Sequence, residues 1–145
     1  MDSKRGLVLD ANILIRLVLG RRVRELVLTH ADRVAFFTPA VCYDDARRYL
    51  PGLLVARQVD PGPALEVLNG FEAIVRAVDE SVYASARADA LARIERRDAQ
   101  DWPILATALM LGLPIWTEDQ DFFGTGVPTW TTDRVELYLN SAKKE

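Results

Sequence analysis

The chain has 145 residues, of which 50% are hydrophobic and 27% are charged, so it can build the core of one domain. This composition excludes a disordered or collagen-like chain, and the net charge of −3 excludes a general basic coat for duplex nucleic acid. No apolar run reaches the roughly 20 residues that span a bilayer. No signal peptide pattern is present, and the single cysteine, Cys42, fits a reducing compartment. We therefore expect a cytoplasmic protein that does not enter a membrane.

Two short apolar runs in the N-terminal half predict strands, each followed by helical patterns. The first run ends at Asp10, and the apolar spacing after it predicts one helix up to Gly20 and a second helix beyond it. After the second run, we expect Thr38 to be the N-cap and Pro39 the first residue of a third helix, which ends at Pro51. The predicted strands are residues 7–9 and 34–37.

The C-terminal half continues the alternation of strands and helices. Asp79 is the expected N-cap of a long helix, and Gly112 is expected to end the helix after it. Asp133 with Glu136 resembles a capping box for the last helix. The predicted strands are residues 73–78, 114–117 and 129–131, and the predicted helices are residues 63–69, 80–97, 102–111 and 134–140.

This alternation predicts one α/β domain over residues 1–145, a three-layer fold in which a parallel sheet of four or five strands is flanked by helices. In such sheets the active crevice lies at the carboxyl ends of the strands. Asp10 and Asp119 come just after two predicted strand ends. They are therefore the first candidates for functional residues.

Five acidic residues stand at positions from which they could converge. Carboxylates that lie close together repel one another, and each is costly to remove from water. A divalent cation offsets both effects, and oxygen ligands without histidine or cysteine favour Mg²⁺ or Mn²⁺. An ion held in this way suits phosphoryl transfer, because it lowers the pKa of a bound water and neutralises charge on the phosphate. The five candidates are Asp10, Asp45, Asp101, Asp119 and Asp121.

Each of these acids also has a purely structural interpretation. Asp10 and Asp101 stand where they could cap helices. Asp119 and Asp121 suit a turn, and Asp45 suits a solvated helix face. The functional hypothesis therefore rests on the set of acids and on none of them alone.

At these residues the sequence resembles the PIN-domain family of metal-dependent ribonucleases, in four segments that together cover nearly the whole chain. The segments are residues 7–14, 38–46, 101–109 and 116–122. The resemblance implies an acidic pocket that Asn12 and Thr117 support by hydrogen bonding. It assigns the pocket itself to Asp10, Asp45, Asp101 and Asp119, with Asp121 as a fifth member and with the metal on Asp10, Asp101, Asp119 and Asp121.

The second acidic position departs from the pattern of the family. It holds Asp45 where the family usually has a glutamate, and the shorter side chain favours an indirect role through water. Asp44 beside it leaves the register open. We favour Asp45, because Ala46, Tyr49 and Leu50 then continue the pattern.

The resemblance implies an endoribonuclease with a Mg²⁺ or Mn²⁺ centre. Similarity to the VapC-like toxin branch further implies a small antitoxin partner that blocks the site, and a homodimer. Two arginine pairs are either solvated helix faces or contacts to RNA phosphates. These pairs are Arg21 with Arg22, and Arg47 with Arg48.

Other functional classes fit the sequence less well. A haloacid-dehalogenase phosphatase needs a second aspartate where this chain has Asn12, and a receiver domain needs an interior lysine, whereas the three lysines lie at the chain ends. A free-standing PIN nuclease and a PIN-like binding module without catalysis stay open. His30 is expected at the surface and Cys42 in the core.

Overall fold

Five parallel strands form one sheet in the computed structural model, which describes residues 5–141. The order of the strands is β3-β2-β1-β4-β5, so the first strand is central. The strands are β1 (Arg5–Leu9), β2 (Val34–Pro39), β3 (Val75–Val78), β4 (Ile115–Trp116) and β5 (Thr129–Trp130). All four pairings are parallel, as the alternation in the sequence predicts.

Helices connect the strands and flank the sheet, which gives the three-layer α/β fold. Leu7, Val8 and Leu9 are all fully buried. Consecutive buried residues, without alternation, are typical of a strand that is covered on both faces. The helices are α1 (Ala11–Leu19), α2 (Arg21–His30), α3 (Ala40–Val55), α4 (Gly62–Gly70), α5 (Glu80–Tyr83), α6 (Arg87–Ile94), α7 (Trp102–Leu111) and α8 (Val135–Ser141).

The boundary between β2 and α3 differs from the prediction. Thr38 and Pro39 are strand residues, and the helix begins only at Ala40. The hydroxyl of Thr38 donates a hydrogen bond to the carbonyl oxygen of Leu9, at 2.7 Å. The neighbouring strand therefore takes the hydroxyl that we expected to cap the helix.

Helix α3 also runs through Pro51, where we expected it to end. A proline inside a helix removes one backbone hydrogen bond and costs about 3 kcal/mol. The buried residues Ala46, Leu50 and Leu54 follow one another at helical spacing across this point. Continued burial of that stripe offsets the cost of the proline.

The long helix expected over residues 80–97 is broken into α5, a 3₁₀ turn and α6. Tyr83 is buried and packs against Trp102, with 5.5 Å between the ring centroids, whereas Val82 is exposed. In an uninterrupted helix, Val82 would lie on the same buried face as Ala90 and Ile94. The break changes the direction of the chain, so that Tyr83 faces the core in place of Val82. Asp79 is the N-cap as predicted and accepts from the N–H of Ser81 at 3.0 Å.

Near the C-terminus, one helix end is confirmed and one capping motif is wrong. Gly112 ends α7 in the left-handed conformation, with φ of 68°. Helix α8 begins at Val135, so Asp133 precedes it by two residues and instead accepts a hydrogen bond from the Thr131 hydroxyl. Glu136 pairs with Arg22 at 2.8 Å.

Cys42 and His30 are both buried. Cys42 is buried in the core as expected. The expectation for His30 is wrong, because the side chain is buried: its Nδ1 lies 2.9 Å from the carbonyl oxygen of Leu26, and its Nε2 lies 3.1 Å from the side-chain oxygen of Asn140. Among residues 5–141, no helix is long and apolar enough to cross a membrane.

Candidate active site

Two neighbouring strands end at the same edge of the sheet and place polar side chains there. Asp10 directly follows β1, and Thr117 directly follows β4. Because Leu9 and Trp116 are paired in parallel register, the residues that follow them emerge side by side. Asp119 lies two residues beyond Thr117 on the same connection.

A cavity of about 230 Å³ at this edge is lined by carboxylates from four separate segments of the chain. Asp45 comes from α3, and Asp101 comes from the turn before α7. Together with Asp10, which follows β1, and Asp119, which comes after β4, they line the cavity. The acidic lining residues are Asp10, Asp45, Asp101 and Asp119.

Asp10 is both a helix cap and a wall of this cavity. Its Oδ1 accepts a hydrogen bond from the N–H of Ile13 at 2.9 Å, and its Oδ2 accepts one from the hydroxyl of Thr117 at 2.5 Å. Burial raises the pKa of Asp10 to about 6, although both hydrogen bonds lower it. The two interpretations of this residue are therefore compatible.

Thr117 connects two of the acids through one hydroxyl group. The hydroxyl donates to Asp10 and accepts from the backbone N–H of Asp119 at 2.9 Å. One hydrogen and two lone pairs allow both bonds at once. The side chain is fully buried, so this link fixes the relative position of the two acidic segments.

Asp101 does not cap the helix that follows it, because its side chain forms no capping hydrogen bond. Its Oδ2 is buried and has no hydrogen-bond partner among the described residues. Burial raises the pKa of Asp101 to about 7, and the charges of Asp98, Asp119, Asp10 and Asp121 raise it further in that order. A buried carboxylate oxygen without a donor, surrounded by other carboxylates, is suited to a cation.

Asp101 also belongs to a second, tighter group of acids. One carboxylate oxygen from each of Asp98, Asp101 and Asp121 lies within 4.8 Å of the others. Asp121 does not line the cavity itself, but its carboxylate lies close to that of Asp101, which does. The sequence places Asp98 near Asp101 and predicts either a surface residue or one that supports the site from outside the pocket; in the structure Asp98 is exposed.

Asp44 and Asp45, the two candidates for the second acidic position, differ in exposure and in their place relative to the cavity. Asp45 lines the cavity and pairs with Arg48, whereas Asp44 points away with 75% of its side chain exposed. Asn12 lines the cavity as well. Its side chain makes no hydrogen bond to any carboxylate within residues 5–141, unlike Thr117.

A comparison with protein families identifies the kind of domain. The sequence profile of the PIN domain matches residues 8–140. The chain belongs to the PIN domain family. PIN domains are in general nucleases and typically use divalent metals, which agrees with the acidic groups described above.

Two solved structures share this PIN fold. PAE2754 from Pyrobaculum aerophilum has a TM-score of 0.67 and 17% identity, over 97% of this chain and 91% of that one. FitAcB from Neisseria gonorrhoeae has a TM-score of 0.62 and 20% identity, over 87% of this chain and 97% of that one. No curated protein sequence matches the chain.

The arginines predicted to bind RNA differ in the hydrogen bonds and ion pairs that they form within this PIN domain. Arg47 is the most engaged, because it binds Asn69 at 3.1 Å and Glu72 at 2.5 Å. Arg22 forms the ion pair with Glu136 described above, and Arg48 pairs with Asp45. Arg21 is 91% exposed and lies 4.0 Å from Glu25.

Sequence reasoning did not identify two further arginines that hold the segment carrying Asp119 and Asp121. We call residues 119–126 the acidic loop. Arg97 donates to the carbonyl oxygen of Asp121 at 2.7 Å and to that of Phe123, and Arg93 donates to the carbonyl oxygen of Thr125 at 2.9 Å. Three carbonyl groups of the loop are therefore fixed from outside it.

Proposed function

We propose that this PIN domain is a metal-dependent endoribonuclease that hydrolyses phosphodiester bonds of RNA and acts as the toxin of a toxin–antitoxin pair. The observation that carries the proposal is the unpartnered, buried carboxylate oxygen of Asp101 beside the linked pair Asp10 and Asp119. We assign Mg²⁺ or Mn²⁺ to Asp10, Asp101, Asp119 and Asp121. When bound, such an ion lowers the pKa of a water molecule and neutralises charge on the phosphate.

The protein side chains orient the reacting groups. The Ile13 N–H and the Thr117 hydroxyl hold both oxygens of Asp10, so its position needs no rearrangement during the reaction. Asp45 lies in the same cavity outside the proposed ligand set, and its Oδ1 is held by Arg48. We assign to its Oδ2 the role of accepting the proton from the attacking water.

The RNA backbone requires cations at the rim of the cavity. We assign phosphate contacts to Arg21, Arg22 and Arg48, whose side chains are at least half exposed. Arg47 contributes least to this surface, because Asn69 and Glu72 already bind its guanidinium group.

The toxin role rests on the resemblance of the motifs to the VapC-like branch, and the similarity to FitAcB supports it at the level of fold. We propose a small antitoxin as the partner that covers the acidic cavity, and a homodimer as the assembly. A short neighbouring gene for a DNA-binding antitoxin would support this role. Co-expression of that gene should abolish RNA cleavage.

The direct test of the nuclease is RNA cleavage by purified Asp10→Asn protein, with Mg²⁺, with Mn²⁺ and without metal. We expect the variant to be slower by several orders of magnitude, because it loses one charge of the ligand set. Asp44→Asn is the matched control, since the neighbouring acid Asp44 is exposed and lies outside the cavity.

Melting in the absence of metal separates the two roles of Asp10. We expect no large loss of stability, because the asparagine keeps an acceptor for the Ile13 N–H, and the removal of charge repulsion offsets the lost acceptor for the Thr117 hydroxyl. Undiminished cleavage would remove Asp10 from the mechanism. Lost cleavage with a strongly lowered melting temperature would assign to Asp10 a mainly structural role. A wild-type chain that binds RNA but cleaves none would favour the binding module.

A further inference from the structure

A second cavity, of about 580 Å³, is lined by several residues that are chain neighbours of residues lining the carboxylate cavity. Its lining includes Glu118 and Gln120, the two chain neighbours of Asp119, which lines the first cavity. It also includes Arg16, which follows the first-cavity residue Ile15 on α1. Two segments of the chain, residues 15–16 and 118–120, therefore contribute to both cavities, which suits an extended ligand that contacts both.

Phe123 forms part of this second cavity and is 40% exposed. It lies two residues after Asp121, so the two Cα atoms are at most about 7.6 Å apart. Its ring makes no contact with another aromatic ring or a cation in the described part of the chain, while Arg97 holds its carbonyl oxygen. An exposed aromatic ring on an anchored backbone is suited to stack against a nucleobase.

The cavity also offers one cation without a partner. The guanidinium group of Arg16 forms no hydrogen bond or ion pair within residues 5–141, whereas Arg22 pairs with Glu136. The acids of the cavity accept hydrogen bonds from neutral donors: Glu118 accepts from the N–H of Thr132, and Asp133 accepts from the hydroxyl of Thr131. A cavity lined by both arginines and acids can bind one phosphate group, at Arg16. It disfavours the binding of several consecutive phosphates of an RNA backbone.

We propose that this second cavity is a nucleotide subsite, in which one unpaired RNA base stacks on Phe123 and its phosphate pairs with Arg16. The proposal rests on the ribonuclease function proposed above. Gln120 and Thr131 line the same cavity and supply hydrogen-bonding groups for the edge of the base. The subsite selects RNA in which the nucleotide beside the cleaved bond is unpaired, because a base inside a duplex cannot reach the ring.

The test measures binding of a short fluorescein-labelled single-stranded RNA to the full chain carrying Asp10→Asn, so that the RNA stays intact. We expect Phe123→Ala to weaken binding about 5- to 150-fold, the range that loss of base stacking gives. Phe123→Leu should also weaken it, and Phe123→Trp should retain it. Val82→Ala is the control, since Val82 is 45% exposed and lies on α5, away from both cavities.

Arg16→Ala should weaken binding and reduce the slope of log affinity against log salt by about 1, as loss of one phosphate contact does. A blunt-ended RNA duplex, which has no unpaired bases, should bind more weakly than the single strand. Equal binding by Phe123→Ala, Phe123→Leu and Val82→Ala would overturn the subsite while leaving the nuclease standing. No RNA binding by the Asp10→Asn chain, together with no cleavage by the wild type, would overturn both proposals.

Discussion

At the scale of single residues, the site depends on a neutral side chain as much as on its charges. Thr117 donates to one acid and accepts from the backbone of another. Neither Asp10 nor Asp119 could hold the other directly, since two carboxylates repel. The positions of the acids after strand ends were predictable from the sequence. The closeness of Asp98 to Asp121 was not, because the two residues belong to separate segments of the chain and meet only in the folded protein.

Thr117→Val should lower both stability and metal affinity. The change keeps the shape of the side chain but leaves the buried Asp10 oxygen without a donor, which costs about 1–3 kcal/mol. Thr107→Val is a matched control, because Thr107 is equally buried and its hydroxyl donates only to the carbonyl oxygen of Pro103. Melting without metal and Mn²⁺ titration calorimetry give the two readouts. Identical Mn²⁺ affinities in both variants would show that Thr117 does not organise the site.

At the scale of elements, the alternation of strands and helices was predictable because strands buried on both faces are unbroken apolar runs. The breaks inside elements were not predictable. The passage of α3 through Pro51 and the break after Tyr83 both depend on which side chains the core accepts. Arg93 and Arg97 hold the acidic loop through contacts that span 32 and 24 residues of sequence, which local patterns do not report.

Arg97→Ala should loosen the acidic loop. Loss of its hydrogen bonds to the carbonyl groups of Asp121 and Phe123 should cost about 1 kcal/mol and weaken Mn²⁺ binding several-fold. Hydrogen exchange of residues 119–126 and Mn²⁺ titration measure the two effects. Arg96→Ala is the control, because the adjacent Arg96 is exposed and makes no such contact. If both variants exchange and bind Mn²⁺ alike, the arginine does not position the loop.

Two glycines should respond to alanine in opposite directions. Gly126 has φ of 90°, and a Cβ there would lie 2.7 Å from Nη1 of Arg93, so Gly126→Ala should destabilise the protein by about 1–3 kcal/mol. Gly52 lies inside α3 with nothing within 4 Å of the added Cβ, so Gly52→Ala should stabilise it by about 0.5–1 kcal/mol. Chemical denaturation measures both. A stabilising Gly126→Ala would contradict the described loop conformation.

At the scale of the whole molecule, the acidic site makes the metal-free protein sensitive to pH. The pKa of Asp10 rises from 3.8 to about 6 and that of Asp101 from 3.8 to about 7 on folding. The folded chain therefore binds protons more tightly than the unfolded chain. Stability is greatest below about pH 4 for these two groups, and it falls as the pH rises through 6 and 7.

Melting in EDTA between pH 5 and 8 should show this decline for the wild type. Asp101→Asn should reduce the slope, because the amide does not titrate. Saturating Mg²⁺ or Mn²⁺ should raise the melting temperature most at the high-pH end, where the carboxylates are charged. The matched control is Asp133→Asn, since Asp133 is exposed and lies outside the carboxylate cavity. A wild-type profile that rises with pH in EDTA would contradict the assignment.

The central position of β1 has a consequence for the synthesis of the protein. The strand that carries Asp10 is made first, yet its partner Thr117 is 107 residues further along the chain. A ribosome-bound chain that has reached only β3 contains Asp10 and Asp45 but neither Asp101 nor Asp119. A chain that has been synthesised only as far as β3 therefore lacks two acids of the cavity. On the function proposed above, RNA cleavage begins only after the segment that carries Asp119 has been made and has folded.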